Sequence, residues 1–163
     1  MNRANSRRSP KRNSAIAAQA GILGEHLVRD WLLQQHWQIL HQRWRCRWGE
    51  LDLIAHQGQN TLAFVEVKVR GQGNWDRDGL LAMTTQKQIK LCKAAQLFLS
   101  EHPDHANNFC RFDVALVSWM PKLDRTAISP SPEDIVLGQP VPYESCSLTL
   151  EQYIAGAFDA FTV

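Results

Sequence analysis

The chain has 163 residues, 44% apolar and 21% charged, which is room for one compact domain and excludes a large multidomain machine. No stretch approaches the ~20 apolar residues of a membrane span, and Cys46, Cys92, Cys110 and Cys146 lie far apart with no CxxC, which excludes a zinc ribbon or a thioredoxin-type pair. The net charge of +2 hides an asymmetry: Arg3, Arg7, Arg8, Lys11 and Arg12 are five of the 18 basic residues, leaving 13 against 16 acidic ones, or −3, for the rest.

Residues 1–13 therefore read as a disordered basic tail, or an arm that gains affinity by releasing counterions from a polyanion. Ser6-Arg7-Arg8 is followed by Gln19, Glu25, His26 and Arg29 rather than a clean apolar run, so an export signal is not expected and a reducing, cytoplasmic setting is. Residues 14–163 read as a single domain.

From Ser14 to His36, Ile16, Ala20, Leu23, Leu27 and Trp31 recur at helical spacing, which predicts an amphipathic helix. Gly21 and Gly24 sit inside it, each costing about 1 kcal/mol against alanine, so another backbone or a ligand is expected close by. Three strands follow at about 37–47, 50–57 and 61–70, the last two forming a hairpin around Gly58-Gln59-Asn60. In the third, Val65, Val67 and Val69 share one face, and Phe64, Glu66, Lys68 and Arg70 the other. Residues 71–79 read as a glycine-rich loop whose Trp75 is a candidate for stacking on a base. A second helix runs from Thr84 or Thr85 to about Ser100, and an apolar strand from Phe109 to Trp119. A strand, a helix and a strand in that order predict parallel pairing, hence an α/β mixed sheet flanked by helices. Residues 120–147 hold five of the seven prolines and read as a loop-rich excursion, with one short strand at 134–137 and a terminal helix at 148–160.

The hairpin carries the candidate chemistry. With a three-residue loop, Gln57 faces Thr61 and Asp52 comes directly opposite Glu66, whereas a two-residue loop would put them on opposite faces. Opposed side chains have Cβ atoms ~4.5–5.5 Å apart, and two carboxylates there repel unless a cation sits between them; Mg²⁺ or Mn²⁺ is the natural solution. Lys68 lies two residues beyond Glu66 on the same face, where an ammonium can orient an attacking water and neutralise a phosphate transition state. The bland alternative is a half-exposed strand on which acid and lysine alternate.

Trp44-Arg-Cys-Arg-Trp-Gly-Glu-Leu-Asp52-Leu-Ile-Ala, Phe64-Val-Glu66-Val-Lys68-Val-Arg70, Lys87-Gln88 with Lys90, and Arg111-Phe-Asp113-Val occur in this order. Together they resemble the YraN-like family, with the restriction-endonuclease-like PD-(D/E)xK core and a similarity to archaeal Holliday-junction resolvases. The resemblance runs from about Gly21 to Val117 and resumes at Ile154-Ala-Gly-Ala-Phe158. Leu51 stands where the nominal motif has proline, Val69 where threonine is commoner, and segment 120–150 is longer than the family norm. The resemblance implies a nuclease site of Glu25, Asp52, Glu66 and Lys68, with Asp52, Glu66 and Glu25 holding Mg²⁺ or Mn²⁺ and Gln88 as an accessory residue.

Gln88 also has a simpler reading, as the return arm of a capping box to the Thr85 amide. Arg43, Arg45 and Arg47 form one face of a strand and, with Arg70, Lys87 and Lys90, are candidate nucleic-acid contacts; Trp44 and Cys46 are expected to pack inward. The histidines show no ligand spacing, and His102 and His105 are expected at the surface. Asp113 is expected to hold Arg111 or a helix rather than a metal. The expected function is divalent-metal-dependent hydrolysis of DNA, branched or structured DNA first, by a homodimer without a small-molecule cofactor. The alternatives are a non-catalytic nucleic-acid-binding module of the same fold and an RNA-directed nuclease.

Overall fold

The computed structural model describes residues 10–71, 83–121, 135–143 and 146–159, with side chains from Ala18 onward. The tail to residue 9, most of the glycine-rich loop with Trp75, and most of the proline-rich excursion lie outside the described residues.

Helix α1 spans Pro10–Gln34, and strands β1 (Gln38–Cys46), β2 (Gly49–Gln57) and β3 (Thr61–Gly71) follow as two hairpins. Helix α2 (Thr85–Glu101) and a 3₁₀ turn (Pro103–His105) lead to β4 (Phe109–Pro121), then β5 (Pro140–Pro142) and β6 (Cys146–Phe158). The six strands form one sheet in the order β1-β2-β3-β4-β6-β5. Among the described strands only the β3–β4 pairing is parallel, as the intervening helix requires, so the sheet is mixed and the fold α/β.

Strand alternation divides the core. Leu53, Ala55, Val65, Ala115, Val117, Leu148 and Leu150 face α1 through Leu27, Val28 and Leu32, while Ile54, Leu62, Phe64 and Phe112 face α2 through Leu91 and Phe98. Each helix thus covers one face of the sheet. Gly24 does mark a close approach, but of a side chain rather than the expected backbone or ligand: a Cβ there would lie 2.5 Å from Val69 Cγ2. Gly21 is not, since nothing stands within 4 Å of its missing Cβ.

The boundaries of α1 differ from the expected 14–36. Pro10, with its fixed φ and missing N–H, suits a first helical position. At the other end His36 adopts φ 62°, its N–H donates to Leu33 O at 3.0 Å, and the Trp37 N–H donates to Leu32 O at 3.0 Å, a Schellman stop that turns Trp37 into the core. The 58–60 loop gives the expected register, with Leu53 opposite Val65 and Gln57 opposite Thr61.

The expected terminal helix is instead β6. Cys146, Leu148 and Leu150 are buried while Ser147 and Thr149 between them are half-buried, a period of two that the Glu- and Ala-containing stretch after Leu150 masks. The outer edge of β4 carries backbone groups that need partners, and β6 supplies them from Phe112 to Pro121. The short strand lies at Pro140–Pro142, not 134–137; two prolines lack amide donors and are accommodated at the sheet's edge.

Candidate functional site

The register brings Asp52 opposite Glu66 where the β2–β3 ladder ends, and there the Asp52 carboxylate accepts the Val67 N–H at 2.7 Å. Burial, and then the charge of Glu66, push the Asp52 carboxyl up to about 7 against the pull of that N–H. Glu66 is 6% exposed. Its Oε1 accepts from Lys68 Nζ at 2.7 Å and pairs with Lys87 Nζ at 3.1 Å, while its buried Oε2 has no hydrogen-bond partner among the described residues.

Lys87 comes from the first turn of α2. Thr84 Oγ1 accepts the Lys87 N–H at 3.2 Å, which caps the helix and sets the rotation that sends the ammonium to Glu66. The capping box expected at Thr85 is absent: Gln88 Nε2 donates to Met83 O at 3.1 Å, bracing the segment before the helix.

On the other side of Asp52 stands a group that the sequence reading missed in part. One carboxylate oxygen each of Glu25 on α1, Glu50 and Asp52 lie within 4.8 Å of one another. Glu50 accepts Arg43 Nε at 2.7 Å and Arg45 Nε at 2.6 Å; burial works to raise its pKa, but the two guanidinium contacts win and hold it below the ordinary value. Arg43 also stands 3.7 Å from Glu25. Burial keeps the Glu25 carboxyl above its ordinary value, opposed by Arg43 and reinforced by Glu50 and Glu66. Arg43 reaches both acids from a left-handed backbone, φ 53°, in the middle of β1. Glu50 had one legible signal, its position two residues before Asp52 on the same strand.

The structure thus brings Glu25, Asp52, Glu66, Lys68 and Lys87 to one end of the β2–β3 hairpin. The expected arginine face is divided: Arg43 and Arg45 are engaged by Glu50, and the guanidinium of Arg47 lies 5.1 Å from the centre of the Trp48 ring. Lys90 and Arg70 are exposed. Trp44 and Cys46 pack toward α2, as expected, with Trp44 edge-on to Phe98 at 5.5 Å.

Asp113 is fully buried and held by Arg111, by the Tyr153 hydroxyl at 2.6 Å and by the Gly156 N–H at 2.9 Å, a structural anchor between β4 and β6. His102 and His105 are not free surface residues. They stack on Phe98, at 4.1 and 6.4 Å, and His102 Nδ1 bonds Phe98 O at 2.9 Å.

All candidate ligands are carboxylate oxygens, the donors that Mg²⁺ and Mn²⁺ take, and a buried oxygen of Glu66 stands without a partner beside an Asp52 whose charge is disfavoured by burial. The residues present fit such an ion. Among the described residues the acids whose oxygens gather within 4.8 Å of one another are Glu25, Glu50 and Asp52, so these would hold it, with Glu66 next to Asp52 but outside that group. No helix among the described residues is long and apolar enough to cross a membrane.

The sequence pattern of the Uncharacterised protein family UPF0102 matches residues 24–117, which span every acid and lysine of the site. A UPF0102 protein of Acaryochloris marina (strain MBIC 11017) is 47% identical over 154 residues, covering 86% of this chain and 90% of the relative. One of Trichodesmium erythraeum (strain IMS101) is 45% identical over 157 residues, covering 85% and 87%. A UPF0102 protein of Synechocystis sp. (strain ATCC 27184 / PCC 6803 / Kazusa) is 42% identical over 144 residues, covering 85% and 96%. The chain belongs to UPF0102, the YraN-like family that its four motifs resemble.

Proposed function

We propose that this chain is a divalent-metal-dependent endonuclease of restriction-endonuclease-like type, acting on DNA and first of all on branched or structured DNA. The observation that carries the reading is Glu66, whose one oxygen is shared by two ammonium groups while the other is buried and unpartnered beside Asp52. A strand exposed merely to water would not collect these groups around a 6% exposed carboxylate.

The charge count supports a phosphodiester. Glu25, Glu50, Asp52 and Glu66 face Lys68, Lys87, Arg43 and Arg45, four against four. One bound divalent cation makes the site positive by two, which suits a phosphate that gains negative charge on the way to its transition state. When bound, the ion supplies Lewis-acid polarisation of the phosphoryl oxygen.

The protein's own groups do the rest. Lys68 holds the attacking water in line through the ammonium that Glu66 orients, and Lys87 balances the charge developing on the phosphate. Junction cutting requires two incisions, so a homodimer is part of the proposal.

The test is cleavage of duplex, single-stranded and four-way-junction DNA and of RNA, with Mg²⁺, with Mn²⁺ and with chelator. Ion-dependent cleavage that Glu66→Gln abolishes, with binding in chelator retained, supports the reading. Binding without cleavage under every ion would make the chain a non-catalytic module, and cleavage of RNA alone would change its substrate.

A further inference from the structure

The turn joining β1 to β2 is two residues long, Arg47-Trp48, with Cys46 paired to Gly49 behind it. The Trp48 N–H donates to Cys46 Sγ at 3.4 Å, and one part of the ring packs on the edge of the α2 core. The rest of the ring carries two cations: Arg47 Cζ at 5.1 Å and Lys93 Nζ at 4.4 Å from its centre. A tryptophan that only closes the core edge has no need of two cations on its surface. Each of these is a long, solvated side chain that surrenders rotamer freedom to lie there.

Lys93 is on the helix that delivers Lys87 to Glu66. Six residues of helix separate them, about 9 Å at ~1.5 Å per residue. That is on the order of two nucleotides, since phosphates follow one another every ~3.4 Å of duplex axis and farther apart in a stretched strand. Exposed Lys90 lies between them in sequence. The Trp48 ring and Glu66 are thus each contacted by a lysine of the same helix, so a strand bound at Lys87 has a flat aromatic surface flanked by positive charge within its reach.

We infer that Trp48, with Arg47 and Lys93, is a stacking subsite for one unpaired base, so that the substrate carries a single-stranded stretch within a few nucleotides of the bond that is cut. This rests on the nuclease reading above for the position of the cut, but the subsite itself requires only binding. Cations alone would serve a duplex, whose bases are already stacked and offer no free face. A ring is useful only to a base that is unpaired, and base stacking on an aromatic outweighs an exposed cation–π pair. On binding, the base replaces a cation on the ring, and Arg47 and Lys93 turn to the neighbouring phosphates.

The experiment uses the full chain in chelator, so that nothing is cut, with fluorescent twenty-nucleotide oligo-dT, oligo-U and a blunt DNA duplex. Trp48→Ala is expected to weaken oligo-dT binding about tenfold to a hundredfold and duplex binding less than about twofold. Trp48→Phe keeps a ring and the core contact, and should retain most of the single-strand affinity even if Trp48→Ala melts early. Oligo-U separates an RNA from a DNA strand by relative affinity, with the same dependence on the ring. Equal losses on single strand and duplex, or a Trp48→Phe variant as weak as Trp48→Ala, overturn the subsite. The two readings fail separately. Trp48-dependent binding with no cleavage under any ion refutes the nuclease and leaves the subsite; ion-dependent cleavage of a substrate with a single-stranded stretch by Trp48→Ala, with wild-type affinity and rate, refutes the subsite and leaves the nuclease.

Discussion

Asp52→Asn should stabilise the metal-free protein, and the gain should grow with pH. A carboxyl with an unfolded value near 3.8 that is pushed up to about 7 in the fold binds its proton more tightly when folded. Its contribution is therefore fully present at low pH, is lost as pH rises from about 4 to about 7, and is flat above. A shift of about three units at 1.36 kcal/mol each sets a ceiling of about 4 kcal/mol, and water reaching the half-buried group reduces it, so about 1 to 4 kcal/mol is expected by pH 8. Asparagine keeps an oxygen for the Val67 N–H, so the substitution removes the charge and spares the backbone contact.

Urea denaturation of both proteins in chelator at pH 4.5, 6 and 8 measures this, with the difference between the curves isolating Asp52 from the neighbouring Glu25, whose raised pKa acts in the same direction. Adding Mg²⁺ or Mn²⁺ at about a hundredfold excess over Kd should return about 2.7 kcal/mol to the wild type and much less to the variant. Parallel pH profiles for the two proteins between 4.5 and 8 would refute the argument, because they would mean that Asp52 is ionised in the fold at no cost.

Three further outcomes are expected. Lys68→Ala should lower turnover by about a hundredfold or more with Mn²⁺ affinity unchanged by calorimetry; loss of ion affinity with turnover intact at saturation would contradict the water-orienting role. Gly24→Ala should destabilise by about 1–3 kcal/mol in thermal or urea melts, because its Cβ would sit 2.5 Å from a Val69 methyl between packed layers. His36→Gly should stabilise by roughly 1 kcal/mol, since φ 62° is strained for histidine and free for glycine; an unchanged midpoint would show that the strain is relieved elsewhere.

Much of the site was legible because it rests on parity. A three-residue loop fixes which residues of β2 and β3 oppose one another, and side-chain alternation then puts Lys68 with Glu66. The parallel pairing of β3 with β4 followed from the helix between them. What was not legible depends on contacts distant in sequence. Glu50 enters the acid group through arginines on a β1 strand whose register slips between Ile39 and His41 and whose Arg43 is left-handed, and no local pattern announces either. Lys87 is expected from the sequence as a nucleic-acid contact, but its pairing with Glu66 depends on the rotation of α2, which no local pattern shows. The strand at 146–158 was misread because its helix-favouring half outweighed three alternating buried residues, and because the unmet edge of β4 is a property of the sheet rather than of the segment.

That edge has a consequence for any attempt to define a minimal unit. The family pattern stops at residue 117, inside β4, and the strand that covers β4 begins at Cys146. A fragment trimmed to the matched span would keep every acid and lysine of the site, yet it would present Val114-Ala-Leu-Val117 as a long apolar edge with its amides and carbonyls bare, a template for pairing with another copy. Asp113 would also lose the Tyr153 hydroxyl and the Gly156 amide that share its charge with Arg111. The C-terminal strand, which contributes no candidate catalytic group, is thus what would keep such a hairpin site soluble and singly folded.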